Sequence, residues 1–183
     1  MVGRPRSEES RKAILKAALE LCARDGYQNV TLKGIAEAAG TGRQTLYRWW
    51  QTKAEVLLEA MTDLVGPKVE PPPASGDARA DLVAFLDRTF TVAGGPAGPV
   101  IVGLMADAQS DPGFAAKLRE RLIGQRRQAL REVLERGVLP AGADPELVVD
   151  VIFGVMWYRL LNRHAPVDRS LAAELDDLLA RIA

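Results

Sequence analysis

Apolar residues recur at helical spacing along almost the whole chain. Ile14, Ala17, Ala18, Leu21 and Cys22 mark one face of a helix over residues 7–25, and Gly26 is placed to end it. Leu32, Ile35, Ala36 and Ala39 repeat the i, i+3, i+4, i+7 pattern behind Thr31, a natural N-cap, and the alanines let a partner helix approach closely. Gly40 offers the positive φ of a tight turn. A short helix then starts at Thr41 or Gly42 and ends near Trp50, with Leu46 and Trp50 facing inward. Thr52-Lys53-Ala54-Glu55 is a capping box, and Val56, Leu57, Ala60, Met61 and Leu64 carry the stripe of a fourth helix. Gly66 to Gly76 reads G-P-K-V-E-P-P-P-A-S-G, which cannot hold a helix. Beyond it the pattern predicts helices over 77–93, 100–110, 112–136, 145–164 and 168–182, bounded by Gly, Pro or an Asp cap. No period-two alternation competes, so the expected fold is all-α with about nine helices.

The two short helices and tight turn of 31–53 have the form of a helix-turn-helix. Arg43, Gln44, Thr45, Tyr47 and Arg48 fall on the outer side of the second helix, where such donors suit base edges and phosphates. Charge supports this. Residues 1–53 hold 10 Lys and Arg against 5 Asp and Glu, a net of +5, and the remainder 14 against 19, a net of −5. A basic head on an acidic body is the footprint of a protein that presents one end to nucleic acid. The expected division is a DNA-binding domain over 1–51 and a helical domain over 52–183, with a linking helix at 52–65 and a proline-rich loop at 66–76. Arg4 and Arg6, in a basic N-terminal arm without the apolar core of a secretory signal, either reach DNA or are simply solvated. The uncharged run Thr89 to Ala106 is broken by Gly and Pro and predicts no spanning helix.

The order G-Y-Q-N-V-T-L-K-G-I-A-E-A-A-G-T-G-R-Q-T-L-Y-R-W-W-Q-T-K-A-E-V-L, Gly26 to Leu57, closely resembles the N-terminal domain of the tetracycline-repressor (TetR-like) family of bacterial transcription regulators. The likeness rests on the helix-ending Gly-aromatic, the capping Thr, the I-A-x-x-A-G helix, the T-L-Y of the recognition helix and the Lys that opens the next helix. Two positions depart from the family pattern: Gly42 stands where Ser usually caps the recognition helix, and Gln51 where Pro or Lys is usual. Trp49 occupies a position often polar or basic, so that it stacks on sugar, packs inside or lies idle. The resemblance implies a cytoplasmic homodimer on a palindromic operator, released by a small-molecule effector, with no cofactor, no metal, no enzymatic activity and no membrane partner. Its implied DNA contacts are Thr31, Lys33, Thr41, Arg43, Gln44, Thr45, Tyr47, Arg48 and Lys53, with Lys53 on a phosphate, the alternative being that Lys53 is merely solvated; the resemblance also makes 52–183 the effector-binding and dimerisation domain.

The helix 145–164 is apolar on nearly every side, and a helix of that kind must be covered all round. With the last helix it forms the expected dimer face, Val151, Gly154, Tyr158, Leu161, Leu171, Leu175 and Leu178, which the family's habit of dimerising through its last two helices also implies. The alternative is that both helices close a monomer core. Met61, Phe85, Phe90, Met105, Gln109, Leu122 and Trp157 either line an effector cavity or are plain core. Asp107 reads as an exposed carboxylate near a helix end, and His164 as a dipole-stabilised side chain. Arg119, Arg126, Arg127, Arg131 and Arg136 read as a solvated face, with Glu132 to Arg136 an i,i+4 pair. One Cys and one His leave no disulfide framework or metal cluster, and no nucleophile triad or phosphate loop supports an enzyme. An architectural DNA-binding protein without an effector is the remaining rival.

Overall fold

The structure is a computed structural model and describes residues 4–139 and 142–182. Among them are ten α-helices and no strand: α1 (Arg4–Asp25), α2 (Leu32–Ala38), α3 (Arg43–Trp49), α4 (Lys53–Ala60), α5 (Ala78–Gly94), α6 (Gly98–Ser110), α7 (Pro112–Leu118), α8 (Gly124–Leu134), α9 (Pro145–Asn162) and α10 (Arg169–Ile182). Each expected helix is present. The one expected over 112–136 is α7 and α8 joined by a π-helical turn, Arg119–Ile123, and a second π-helical turn, Met61–Val65, continues α4. Helix α1 begins at Arg4, ahead of the expected start; the side chains of Arg4 and Arg6 lie outside those described.

Two compact units emerge. The first takes the chain up to Pro67 together with Pro99–Arg119, and the second takes Lys68–Gly98 with Glu120 onward. This division falls elsewhere than the functional boundary expected at 51, because α6 and α7 pack with the N-terminal helices. In the first unit α1 packs on α2 and α4, and α2 on α3, around Ile14, Leu15, Ile35, Leu46 and Leu57, all essentially inaccessible to solvent. Cys22 is buried there, and burial pushes its thiol up. Arg11 ties α1 to the far end of α4 through Glu59 at 2.7 Å and Asp63 at 2.6 Å.

In the second unit α5 is the central helix, packed by α8, α9 and α10, with Leu82, Phe85, Leu86 and Phe90 fully buried. Gly94 is required where the chain meets the loop before α10: a Cβ there would lie 2.0 Å from the Val167 carbonyl oxygen. Arg136 does not pair with Glu132. Its Nη1 donates to Asp81 Oδ2 at 2.8 Å, and Asp81, 4% exposed, also accepts from the Ser75 backbone N–H. A buried carboxylate draws the cation more strongly than a solvated one four residues away. The arginines of α8 are held as well: Arg126 by the Val69 carbonyl, Arg127 by Glu146 and Asp150, and Arg131 by Glu146.

The Ser75 and Arg136 hydrogen bonds hold the Asp81 carboxyl below its ordinary range. A pKa depressed in the folded state adds stability above the unfolded value, about 3.9 for Asp, and that stability is lost as pH falls through the folded value. Asp81→Asn is therefore expected to lower the melting temperature at pH 7 and to close the gap to the parent protein below about pH 4. Thermal melts from pH 2 to 8 check this, and parallel curves would contradict it.

Candidate DNA interface

Thr31 caps α2, its hydroxyl accepting from the Gly34 N–H at 3.0 Å, and Gly40 takes φ +62° in the turn that follows. Gly42 is the N-cap of α3 and, without a side chain, gives no capping bond, which leaves the first N–H groups of α3 open toward solvent or an anion. Leu46 and Trp50 point inward as expected, and the opposite side of α3 presents exposed Arg43, Gln44, Tyr47 and Arg48 with half-buried Thr45. Thr31 and Lys33 are exposed, and Thr41 is half-buried in the turn. The structure thus gathers eight of the nine expected DNA contacts on α3, the turn before it and the start of α2.

Glu37 lies between two of them, 3.8 Å from Lys33 Nζ and 3.6 Å from Arg43 Nη2. These exposed pairs are worth little by themselves, about 0–1 kcal/mol, so a phosphate or guanine edge outcompetes them readily. Trp49 has a definite place: half-buried, it meets Trp50 edge-on at 5.4 Å between ring centroids, with the Arg48 guanidinium 5.4 Å from its ring. Stacking there limits the freedom of Arg48 without removing its donors.

Lys53, the ninth residue, is differently placed. It opens α4 behind the Thr52 N-cap, and its Nζ donates to the Tyr27 carbonyl at 2.8 Å and the Gln28 carbonyl at 3.2 Å, 4.7 Å from the Tyr27 ring. Two of its three donors are used internally. The capping box is partly reciprocal: the Glu55 N–H donates to Thr52, but the Glu55 carboxylate accepts from the Gln51 N–H rather than from Thr52. Lys117 at 2.6 Å and these bonds hold the Glu55 carboxyl below its ordinary range.

Two models of protein families match, "Bacterial regulatory proteins, tetR family" over residues 14–60 and "Tetracyclin repressor-like, C-terminal domain" over residues 72–179. The chain belongs to the tetR family. A curated relative, the uncharacterized HTH-type transcriptional regulator YdeS of Bacillus subtilis, is 33% identical over 177 residues, covering 94% of this chain and 89% of that one. The crystal structure of the TetR family transcription regulator SCO0332 aligns with TM-score 0.75 and 32% identity over 96% of this chain and 99% of that one. FadR from Bacillus subtilis, solved in complex with stearoyl-CoA, shares the fold at TM-score 0.71 and 24% identity, covering 92% and 96%. As a tetR-family member the chain is a DNA-binding transcriptional regulator and not an enzyme, and regulators of this family act as dimers.

The other expected sites are placed as follows. On α9 Leu147, Val151, Gly154, Tyr158 and Leu161 form one uncovered stripe, with Leu178 exposed on α10. Leu171 and Leu175 face the second unit's own core instead, because they sit on the side of α10 that packs on α5. His164 is exposed and meets the Tyr158 ring at 5.0 Å. The expected effector residues fall in both units: Met61, Met105 and Gln109 in the first, Phe85, Phe90, Leu122 and Trp157 in the second. Gln109 is exposed and spends its amide on the Met105 carbonyl, whereas Phe85 and Phe90 are fully buried and Leu122 and Trp157 half-buried. Sequence reasoning missed Thr89, a buried hydroxyl on α5 with no hydrogen-bond partner among the described residues. It also misplaced Asp107, which is half-buried and accepts from the Tyr27 hydroxyl at 2.6 Å. No single helix among the described residues is long and apolar enough to cross a membrane.

Proposed function

We propose that this regulator is a cytoplasmic repressor that holds a palindromic operator as a dimer and is released when a small molecule enters the second unit. The observation that carries the reading is the row of exposed donors on α3, Arg43, Gln44, Tyr47 and Arg48, held rigidly by buried Leu46 and Trp50 on its other side. Arg43, Gln44 and Thr45 read base edges, while Thr31, Lys33, Thr41, Tyr47 and Arg48 hold phosphates. Two copies of α3 enter successive major grooves about 34–36 Å apart, as a two-fold dimer requires. The DNA-binding part ends near residue 51, and the remainder carries the effector and dimer surfaces. The exposed α9 stripe with Leu178 supports the dimer role, and Thr89 among Phe85 and Phe90 supports a mainly apolar effector with one polar group.

On duplexes selected from a random library, Arg43→Ala is expected to cost about 1–3 kcal/mol and to relax preference at one base pair per half-site. Lys53→Ala is expected to weaken all sequences alike and to flatten the salt slope by about one unit, its third donor being spent on a phosphate. An unchanged slope assigns Lys53 wholly to the Tyr27 and Gln28 carbonyls. If Arg43→Ala and the parent protein bind every duplex alike, the base-reading role of α3 fails. For the effector, stearoyl-CoA is the first compound to titrate, because FadR from Bacillus subtilis was solved with it; release by an effector is supported if it, or a mainly apolar ligand with one polar group, lowers operator affinity.

A further inference from the structure

Three contacts converge on Tyr27, and two come from a helix far along the chain. The Tyr27 side chain is buried, and α6 rests against its ring at Gly103, where a Cβ would come within 2.2 Å of Cγ and 2.4 Å of Cδ1 and Cδ2. Only glycine fits that contact. One turn further along α6, Asp107 Oδ2 accepts from the Tyr27 hydroxyl at 2.6 Å. Lys53 in turn donates to the Tyr27 carbonyl and lies over its ring. A second strut runs parallel: Lys117 of α7 bonds Glu55 Oε1 at 2.6 Å, while Glu55 Oε2 accepts from the Gln51 N–H just past α3. Residues 103–117 thus brace the first turn of α4 and the exit of the recognition helix, all within the first unit.

We propose that Tyr27 is a positioning residue for operator recognition: its seat on Gly103 and Asp107 holds the first turn of α4 in the geometry from which α3 and Lys53 meet the operator. This rests on the reading of α3 and Lys53 as the operator-contacting surface. The physical basis is preorganisation. A head whose α4 turn is already ordered spends less free energy on ordering at the DNA, so releasing the seat weakens specific binding even though none of Tyr27, Gly103 and Asp107 carries a donor to the operator. Burial, and after it the Asp107 bond, keep the phenol protonated and therefore able to donate.

The test uses full-length protein and the operator that the parent selects from random duplexes. Tyr27→Phe and Asp107→Ala are each expected to weaken operator binding about three- to tenfold, with the double variant no weaker than either, since both remove one bond. Asp107→Asn keeps a carbonyl acceptor and should restore most of the affinity. Gly103→Ala forces α6 off the ring and should weaken binding more than tenfold; if that variant does not fold, the Tyr27 and Asp107 series decides. A merely structural bond would lower the melting temperature and leave operator affinity well below that temperature, non-specific affinity and salt slope unchanged. The proposal is overturned if the variants bind the operator as the parent does, if their losses add, or if non-specific binding falls equally. A parent protein that selects no sequence at all overturns the underlying DNA reading, a result distinct from selective binding that the variants leave intact.

Discussion

Replacing both Tyr158 and Leu161 by aspartate is expected to turn the protein into a monomer that no longer holds its operator. The two side chains are 63% and 60% exposed in the single chain and share one side of α9 with Leu147 and Val151, 61% and 43% exposed. Leaving such a continuous apolar stripe in water is unfavourable, since its burial returns roughly 25 cal/mol per Å². Gly154 sits in the middle of the stripe, where a Cβ would meet only open space, so nothing among the described residues covers that point. In a two-fold dimer the double substitution places four carboxylates in the apolar contact, each costing several kcal/mol unless it is paired. The monomer should keep its fold, because the replaced side chains pack on little of it. Operator affinity should fall about 10²–10⁴-fold, the advantage that linking two half-site contacts provides. Sedimentation and operator titration give both numbers; a variant that stays dimeric would remove α9 from the interface.

Trp50→Ala should be the most damaging single change in the head, at about 3–5 kcal/mol of unfolding free energy. Trp50 is 3% exposed, ends α3 in extended backbone, and donates its Nε1 proton to Glu59 Oε2 at 3.0 Å. Glu59 in turn holds Arg11 at 2.7 Å, so the indole links the recognition helix through α4 to α1. Alanine leaves both a cavity and a carboxylate with one partner fewer, and α3 loses the anchor at its C-terminal end. Trp50→Phe fills most of the space and should lose only the hydrogen bond, about 1–2 kcal/mol. Urea titration monitored by circular dichroism separates the two. A loss under 1 kcal/mol for Trp50→Ala would mean that α3 is held by Leu46 alone.

Local chemistry was legible in the sequence; distant partners were not. Thr31 and Thr52 as caps, Gly40 at positive φ, and Leu46 and Trp50 as the inward pair all follow from periodicity and turn stereochemistry within a few residues, and all stand in the structure. The outward donors of α3 follow from the same periodicity. Asp107 looked like a solvated carboxylate because its partner, Tyr27, is 80 positions away. Arg136 looked like the i,i+4 partner of Glu132 because Asp81, 55 positions away, leaves no local trace. The narrow stripe on α10 did reveal a packed face, but periodicity cannot say whether the neighbour is the same chain or another copy, and Leu171 and Leu175 turned out to serve the former. Lys53 was expected on a phosphate or in plain solvent, and the Tyr27 and Gln28 carbonyls that take two of its donors, 26 and 25 positions away, leave no local trace.

The most direct test of the central claim is the stoichiometry and symmetry of the complex that the purified protein forms with DNA it selects from a random duplex library, read by footprinting and by mass at several salt concentrations. The account predicts an inverted repeat with half-site centres about one helical turn, or a whole number of turns, apart, two chains per site, and a steep salt dependence. Enrichment of no sequence, or one chain on a site without two-fold symmetry, would contradict it.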